Sequence, residues 1–365
     1  MGNAVDGALG VKNFLRPDKG RKKVFKRVVE VSCGYAFTVF GLKEKDHPPF
    51  FGTGVASSCQ IGSHMPRKGH PLEVLIQPCG IPIPLSRKST VKKIACGRAH
   101  TMIYTDTEGV WTFGNNAFGQ CGRPVNEKEV YFKNARYENI KMFNGKIVDQ
   151  LECGQDTSFV LIDGQVYSCG MSNDGQTGLG TYKRVESFRP IEGDLKGERV
   201  VKISCRADCA LALTEKGDVF GWGNSEYRQL SSIDDEQQVS IPRKLNLKNI
   251  SGKIIDIAAS GTSCYVVTDA HDVWSWGYGA LGVGPQVITS EDPVLIPRTL
   301  LGRNVLNPDS KVMKVFAGMS FAAAVTDNGS LYTWGRNKTG YVLDSIVKKV
   351  ACGIDHMVLF TKSVV

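Results

Sequence analysis

The chain has 365 residues, of which 42% are hydrophobic and 22% charged, the balance of a folded globular protein and not of a disordered one. No run of 18 apolar residues occurs, which excludes a conventional membrane-spanning helix. The formal net charge of +9 directs any partner held by charge alone toward the acidic: an RNA, an acidic protein face or a lipid surface.

Reading from the first residue, one phrase of the form aromatic-Gly-x-Asn-x-x-Gly-Gln-x-Gly returns seven times. It is clearest from Phe113-Gly114 to Gly122 and from Cys169-Gly170 to Gly180, with weaker copies from Gly2, Gly52, Gly223, Gly277 and Gly335. A second phrase, Cys-Gly-x-x-His before an apolar run, appears at Cys33, Cys96, Cys153, Cys205, Ala259, Ala317 and Cys352. A period of roughly 50–60 residues with few helical patterns indicates stacked β-units.

One unit shows the expected content. Ile94-Ala95-Cys96-Gly97 is a short apolar run ending on glycine, and His100-Thr101-Met102-Ile103-Tyr104-Thr105 has strand composition. Asp106-Thr107-Glu108-Gly109 reads as a turn, and Val110-Trp111-Thr112-Phe113-Gly114 alternates as a half-buried strand. The same order recurs from Lys202 to Gly223. Proline-marked outer segments such as Phe188-Arg189-Pro190-Ile191 and Ile241-Pro242-Arg243-Lys244 separate the units. Four short strands per unit make a propeller blade. The chain therefore reads as one domain over 1–365: an all-β, seven-bladed propeller. Its closing blade is expected to be incomplete, because no strand precedes Gly2 and the interval before Cys352 is short.

Five of the eleven cysteines (Cys33, Cys96, Cys153, Cys205 and Cys352) occupy one repeat position, as small buried packing residues would. No Cys-x-x-Cys pair exists and no metal site is expected. All eleven thiols are expected free, which fits a reducing interior. Basic residues concentrate in two loops, one with Lys22, Lys23, Lys26 and Arg27, the other with Arg87 and Lys88. They suit RNA or another acidic partner, including peripheral contact with a membrane; plain solvated loops would have the same composition. Gly277-Tyr278-Gly279-Ala280-Leu281-Gly282 matches a dinucleotide fingerprint but is one copy of the repeat, so no cofactor is expected. With no phosphate loop and no nucleophile elbow, the sequence offers no site for bond chemistry.

One constellation remains. The residues closing the Cys-Gly-x-x-His phrase fall at one edge of every blade and form a ring holding His100, Asp156, Asp208, Asp355 and His356, with Phe37, Ser263 and Phe321 in other copies. Each Asp or His could cap a turn or tie neighbouring blades. Together they could form a polar rosette for docking a partner, since loops on a rigid scaffold carry function.

The phrases resemble those of the regulator of chromosome condensation repeat propellers along essentially the whole chain. The wording of 114–123, 168–180, 221–227 and 352–358 is most like the mitochondrial branch. The resemblance implies guanine-nucleotide exchange on a GTPase, in that branch a dynamin-like GTPase of inner-membrane fusion. It also implies an alternative, assembly of the mitochondrial ribosome around the large-subunit rRNA. A location in the matrix or at the inner membrane follows, with no targeting peptide expected in this chain. Matching by phrase, exchange residues carry over to His100, Asp156, Asp208, Asp355 and His356. The family prototype's wedge insertion and basic chromatin-binding tail have no counterpart here, which favours a structural adaptor as a third reading and disfavours histone docking.

Overall fold

The computed structural model describes residues 28–43, 49–62, 74–86, 88–131, 136–230, 237–279, 281–303, 305, 307–335 and 345–363. Among them the β-rich units form seven antiparallel sheets, five of four strands, one of three and one of two. The innermost strands are Val28–Cys33, Val91–Cys96, Gln150–Cys153, Val200–Cys205, Ile254–Ala259, Val312–Ala317 and Ser345–Cys352. Each touches the next, and the last touches the first. The molecule is an all-β propeller. Six sheets are blades of three or four strands, and the closing one, Ser345–Cys352 with Met357–Ser363, has two among the described residues. Among these residues no helix is long and apolar enough to cross a membrane.

Packing differs from the alternation expected of Val110–Gly114. Five of the six residues in Gly109–Gly114 are buried and only Trp111 is half-buried. The second strands Cys209–Thr214 and Ser263–Thr268 are buried throughout. The reason is that an inner blade is covered on both faces by its neighbours, so its strands read as continuous apolar runs. Phe159 and Trp222 meet edge-on in such a seam at 6.0 Å, and fully burying a side chain of that size contributes roughly 1.5–3 kcal/mol. The Trp222 Nε1–H donates to Gln176 O at 3.0 Å, and Trp276 Nε1–H to Gln229 O at 2.8 Å, so each indole also ties its blade to the preceding one.

The proline-marked segments form the outer strands Val185–Pro190 and Gln238–Lys244. A residue without an N–H is tolerated there because the outer edge has no further strand to pair. All eleven cysteines are free thiols, ten of them buried. Burial pushes the Cys33 thiol up to about 11 and Cys96 to about 12, so both stay protonated at neutral pH.

Candidate partner-docking face

The Cys-Gly-x-x-His phrase joins the first strand of each sheet to the second. The third strand runs back to end beside it, with His100 opposite Gly114 and Cys209 opposite Gly223. Both repeat phrases therefore open onto one face of the disc. Glycines make the approach possible. A methyl group on Gly34 would come within 2.7 Å of Gly97 O, one on Gly97 within 2.9 Å of Gly154 O, and one on Gly353 within 2.6 Å of Gly34 O. Neighbouring phrases touch at these three junctions, and a side chain at these positions would wedge two blades apart.

The five ring residues divide by burial. His100 is fully buried, its Nε2 2.9 Å from Ser158 Oγ in the next sheet. Desolvation, aided by the nearby Arg98 charge, lowers its pKa to about 3, so it is neutral at physiological pH. His356 is also buried, with Nε2 3.1 Å from Thr38 Oγ1, and this bond joins the last sheet to the first. Asp156 is buried as well. Its carboxylate pairs with Arg98 at 2.5 Å and accepts from Gln120 Nε2 at 3.1 Å. Burial raises its pKa while Arg98 and Gln120 oppose the shift. Asp208 is half-buried and accepts from Gln176 Nε2 at 3.1 Å. Burial raises its pKa to about 6, and the charges of Asp174 and Asp156 add to the effect. Asp355 is exposed. Carboxylates reach solvent at Asp208 and Asp355, whereas the two histidines face the seams between blades.

Gln120 and Gln176 were not singled out from the sequence, yet each carries one repeat phrase across to the next copy's Asp. Their place in the recurring Gly-Gln step was the available signal. Arg206 was also missed. It occupies the phrase's glycine position in the fourth sheet, and its Nη1 donates to Cys33 O of the first sheet at 3.2 Å. It thereby crosses the central channel, a cavity of about 250 Å³ lined by the inner strands. Of the lining residues, Lys202 pairs with Asp256 behind it at 2.6 Å and Lys349 pairs with Glu30. Burial pushes the Glu152 carboxyl up, opposed by Arg206.

Of the basic residues, Lys88 is exposed just before the inner strand Val91–Cys96, at the end of the blade opposite the phrases. Lys22, Lys23, Lys26, Arg27 and Arg87 lie outside the described residues.

Repeat units of this geometry match known models. The regulator of chromosome condensation (RCC1) repeat matches residues 91–120 and 312–340 in one form, and 163–213 and 216–267 in another. The chain is 39% identical to the RCC1-like G exchanging factor-like protein of Mus musculus, over 99% of this chain and 86% of that protein. The counterpart from Homo sapiens is 38% identical over the same shares. The secretion-regulating guanine nucleotide exchange factor of Bos taurus is 28% identical, over 63% of this chain and 49% of that protein. The crystal structure of human WBSCR16 superposes with a TM-score of 0.92 at 37% identity, covering 99% of this chain and 98% of that one. Prp20p of Saccharomyces cerevisiae, studied for its binding to Gsp1p and histones, shares the fold at a TM-score of 0.64 and 20% identity, over 86% of this chain and 69% of that one. The chain belongs to the RCC1 repeat family and is a propeller of the kind found in RCC1-like G exchanging factors.

Proposed function

We propose that this chain is a guanine-nucleotide exchange factor and that its substrate protein is a dynamin-like GTPase of mitochondrial inner-membrane fusion. The observation that carries the reading is the phrase face itself, where Asp208 and Asp355 present carboxylates on a rigid ring. Relatives named as exchange factors support it. Exchange requires tighter binding to the nucleotide-free GTPase than to the loaded form, because only differential affinity shifts an equilibrium. Carboxylates can provide this by engaging basic or phosphate-binding groups vacated when the nucleotide leaves. Asp156 joins them if the partner draws Arg98 away from it. On this proposal the chain acts in the mitochondrial matrix and at the inner membrane, with peripheral contact and no span of its own.

The test is release of a fluorescent GDP analogue from the candidate GTPase. Changing Asp208 and Asp355, the two carboxylates that reach solvent, to alanine should slow release at least about tenfold, the size of a lost charge-assisted contact near 1.4 kcal/mol. Unchanged release with an intact fold sinks the exchange reading. A second reading, a scaffold for assembly of the mitochondrial large ribosomal subunit through its rRNA and assembly proteins, is favoured by Lys88 on the opposite side of the disc. Neutralising Lys22, Lys23, Lys26, Arg27, Arg87 and Lys88 should then weaken RNA binding and flatten its salt dependence without touching exchange.

A further inference from the structure

An aromatic platform on the phrase face adds a different chemistry to the ring of acids and histidines. Tyr227 lies in the loop after the third strand of the fourth sheet, and Tyr278 ends the third strand of the fifth, Val273–Tyr278. Their rings stack with centroids 5.5 Å apart and planes inclined by 27°. The two residues are 38% and 44% exposed, whereas Phe159 and Trp222, which also meet between neighbouring blades, are sealed in a seam. Both tyrosine backbones are held. The Tyr227 N–H donates to Gln229 Oε1 at 3.0 Å, and the Tyr278 N–H donates to Thr262 O at 2.9 Å. Thr262 Oγ1 donates in turn to Tyr278 O at 2.7 Å. Exposed rings on a fixed backbone offer contact area at little entropic cost.

The surroundings decide what such a platform takes. Asn224 N–H donates to Asp208 O at 2.8 Å, which sets Asp208 at the root of the Tyr227 loop. The exposed Glu226 lies in the same loop. Asp174, one sheet back, is tied to Gln238 Nε2 at 2.7 Å, and Gln238 pairs with Asn224 in the fourth sheet. Arg228, the cation of this loop, faces Glu291 at 3.8 Å. Stacked tyrosines can receive a nucleobase or a cation. The phosphates that accompany a base would meet a loop bearing the exposed Glu226 and rooted between Asp208 and Asp174, whereas a guanidinium is matched in charge by the same surroundings and can lie on the ring faces.

We infer that Tyr227 and Tyr278, with the exposed Glu226 in the Tyr227 loop, form a docking platform for an arginine-bearing segment of the partner GTPase. The partner's identity rests on the exchange-factor proposal; the chemistry of the platform does not. The experiment therefore uses three probes on the full chain, by fluorescence anisotropy: a labelled peptide of alternating glycine and arginine, its glutamine counterpart, and a single-stranded twelve-nucleotide RNA. The arginine peptide should bind more tightly than the glutamine one. Its affinity should fall about fivefold in the Tyr227→Ala, Tyr278→Ala double variant, the worth of one exposed cation–π contact. The double change to phenylalanine keeps both ring faces and should retain binding. Equal affinity for the two peptides overturns the inference, as does an unchanged arginine affinity in the alanine variant or a loss of RNA binding there. The same variants are then assayed against the nucleotide-free candidate GTPase. Binding weakened by the alanine pair supports the inference. Full binding by the alanine variant overturns it and leaves the exchange reading intact. A wild-type chain that ignores the GTPase removes the exchange reading, while the peptide arm still decides the platform.

Discussion

His356 and Asp355 are adjacent in one loop and face opposite environments. The histidine turns into the seam and bonds Thr38 of the first sheet, whereas the aspartate stands in solvent. The same division separates His100, buried against Ser158, from Asp208, which is half-exposed at the face. The ring predicted from the repeats therefore divides in two by burial. His100, His356 and Asp156 bond across to neighbouring blades, and Asp208 and Asp355 reach solvent. Residue type alone does not assign a position, since Asp156 is as buried as the histidines and is matched by Arg98 and Gln120.

The largest expected effect comes from attacking the seam itself. Gly154→Ala places a methyl 2.6 Å from Ala207 O and 2.8 Å from Cys205 Sγ, and the first of these is backbone of the next blade. Overpacking of this kind costs about 3 kcal/mol. Thermal unfolding should show a lower midpoint for this variant. An unchanged midpoint would mean that the blades are not in close contact at the phrases, and the distinction between seam and surface would go with it.

Opposite pH dependences sharpen the comparison. His100 has a folded pKa near 3 against an ordinary 6.5. The unfolded chain takes up a proton below pH 6.5 that the folded chain refuses, so this group's contribution to stability is lost as pH falls from about 6.5 toward 3. Asp208 runs the other way, with a folded pKa near 6 against an ordinary 3.8. The unfolded chain releases its proton first, so stability is lost as pH rises from about 4 to 6, by about 2 kcal/mol. Urea midpoints measured from pH 4 to 8 should show His100→Gln less sensitive to acid than the wild type. Asp208→Asn should gain stability at pH 8 and show little gain at pH 4. Parallel profiles for the wild type and Asp208→Asn would place that carboxylate in bulk water.

Much of the fold was legible because the phrases mark the same structural step in every copy. Each of the seven inner strands ends at the predicted Cys or Ala, and the prolines fall on outer strands as expected. Side-chain direction was not legible. Whether His100 points into a seam depends on Ser158, which lies 58 positions on in the next copy. The bonds from Gln120 to Asp156 and from Gln176 to Asp208 likewise join residues of adjacent copies, and no single-copy pattern shows them. Arg206 and the Tyr227–Tyr278 pair were hidden for a different reason. They occupy variant positions of the phrases, where reading for the consensus discards the residue. The departures from the repeat proved as informative about the face as the repeat itself.

The smallest expected effect is the most direct test of the division between neighbours. Asp355→Ala removes an exposed carboxylate with no ion-pair partner among the described residues, and a surface change of this kind stays within about 0.5 kcal/mol. His356→Ala, one residue on, removes the Nε2 contact that links the last sheet to the first and opens a cavity, at a cost of about 2 kcal/mol. The seam is also held by the Lys349–Glu30 pair, so the histidine variant should still fold. Guanidinium unfolding of the two variants side by side should give a wild-type midpoint for the aspartate change and a clearly lower one for the histidine. Exchange on the candidate GTPase should rank them in reverse. Equal loss of stability in both would make Asp355 part of the seam, and the docking ring would then be left with Asp208 alone.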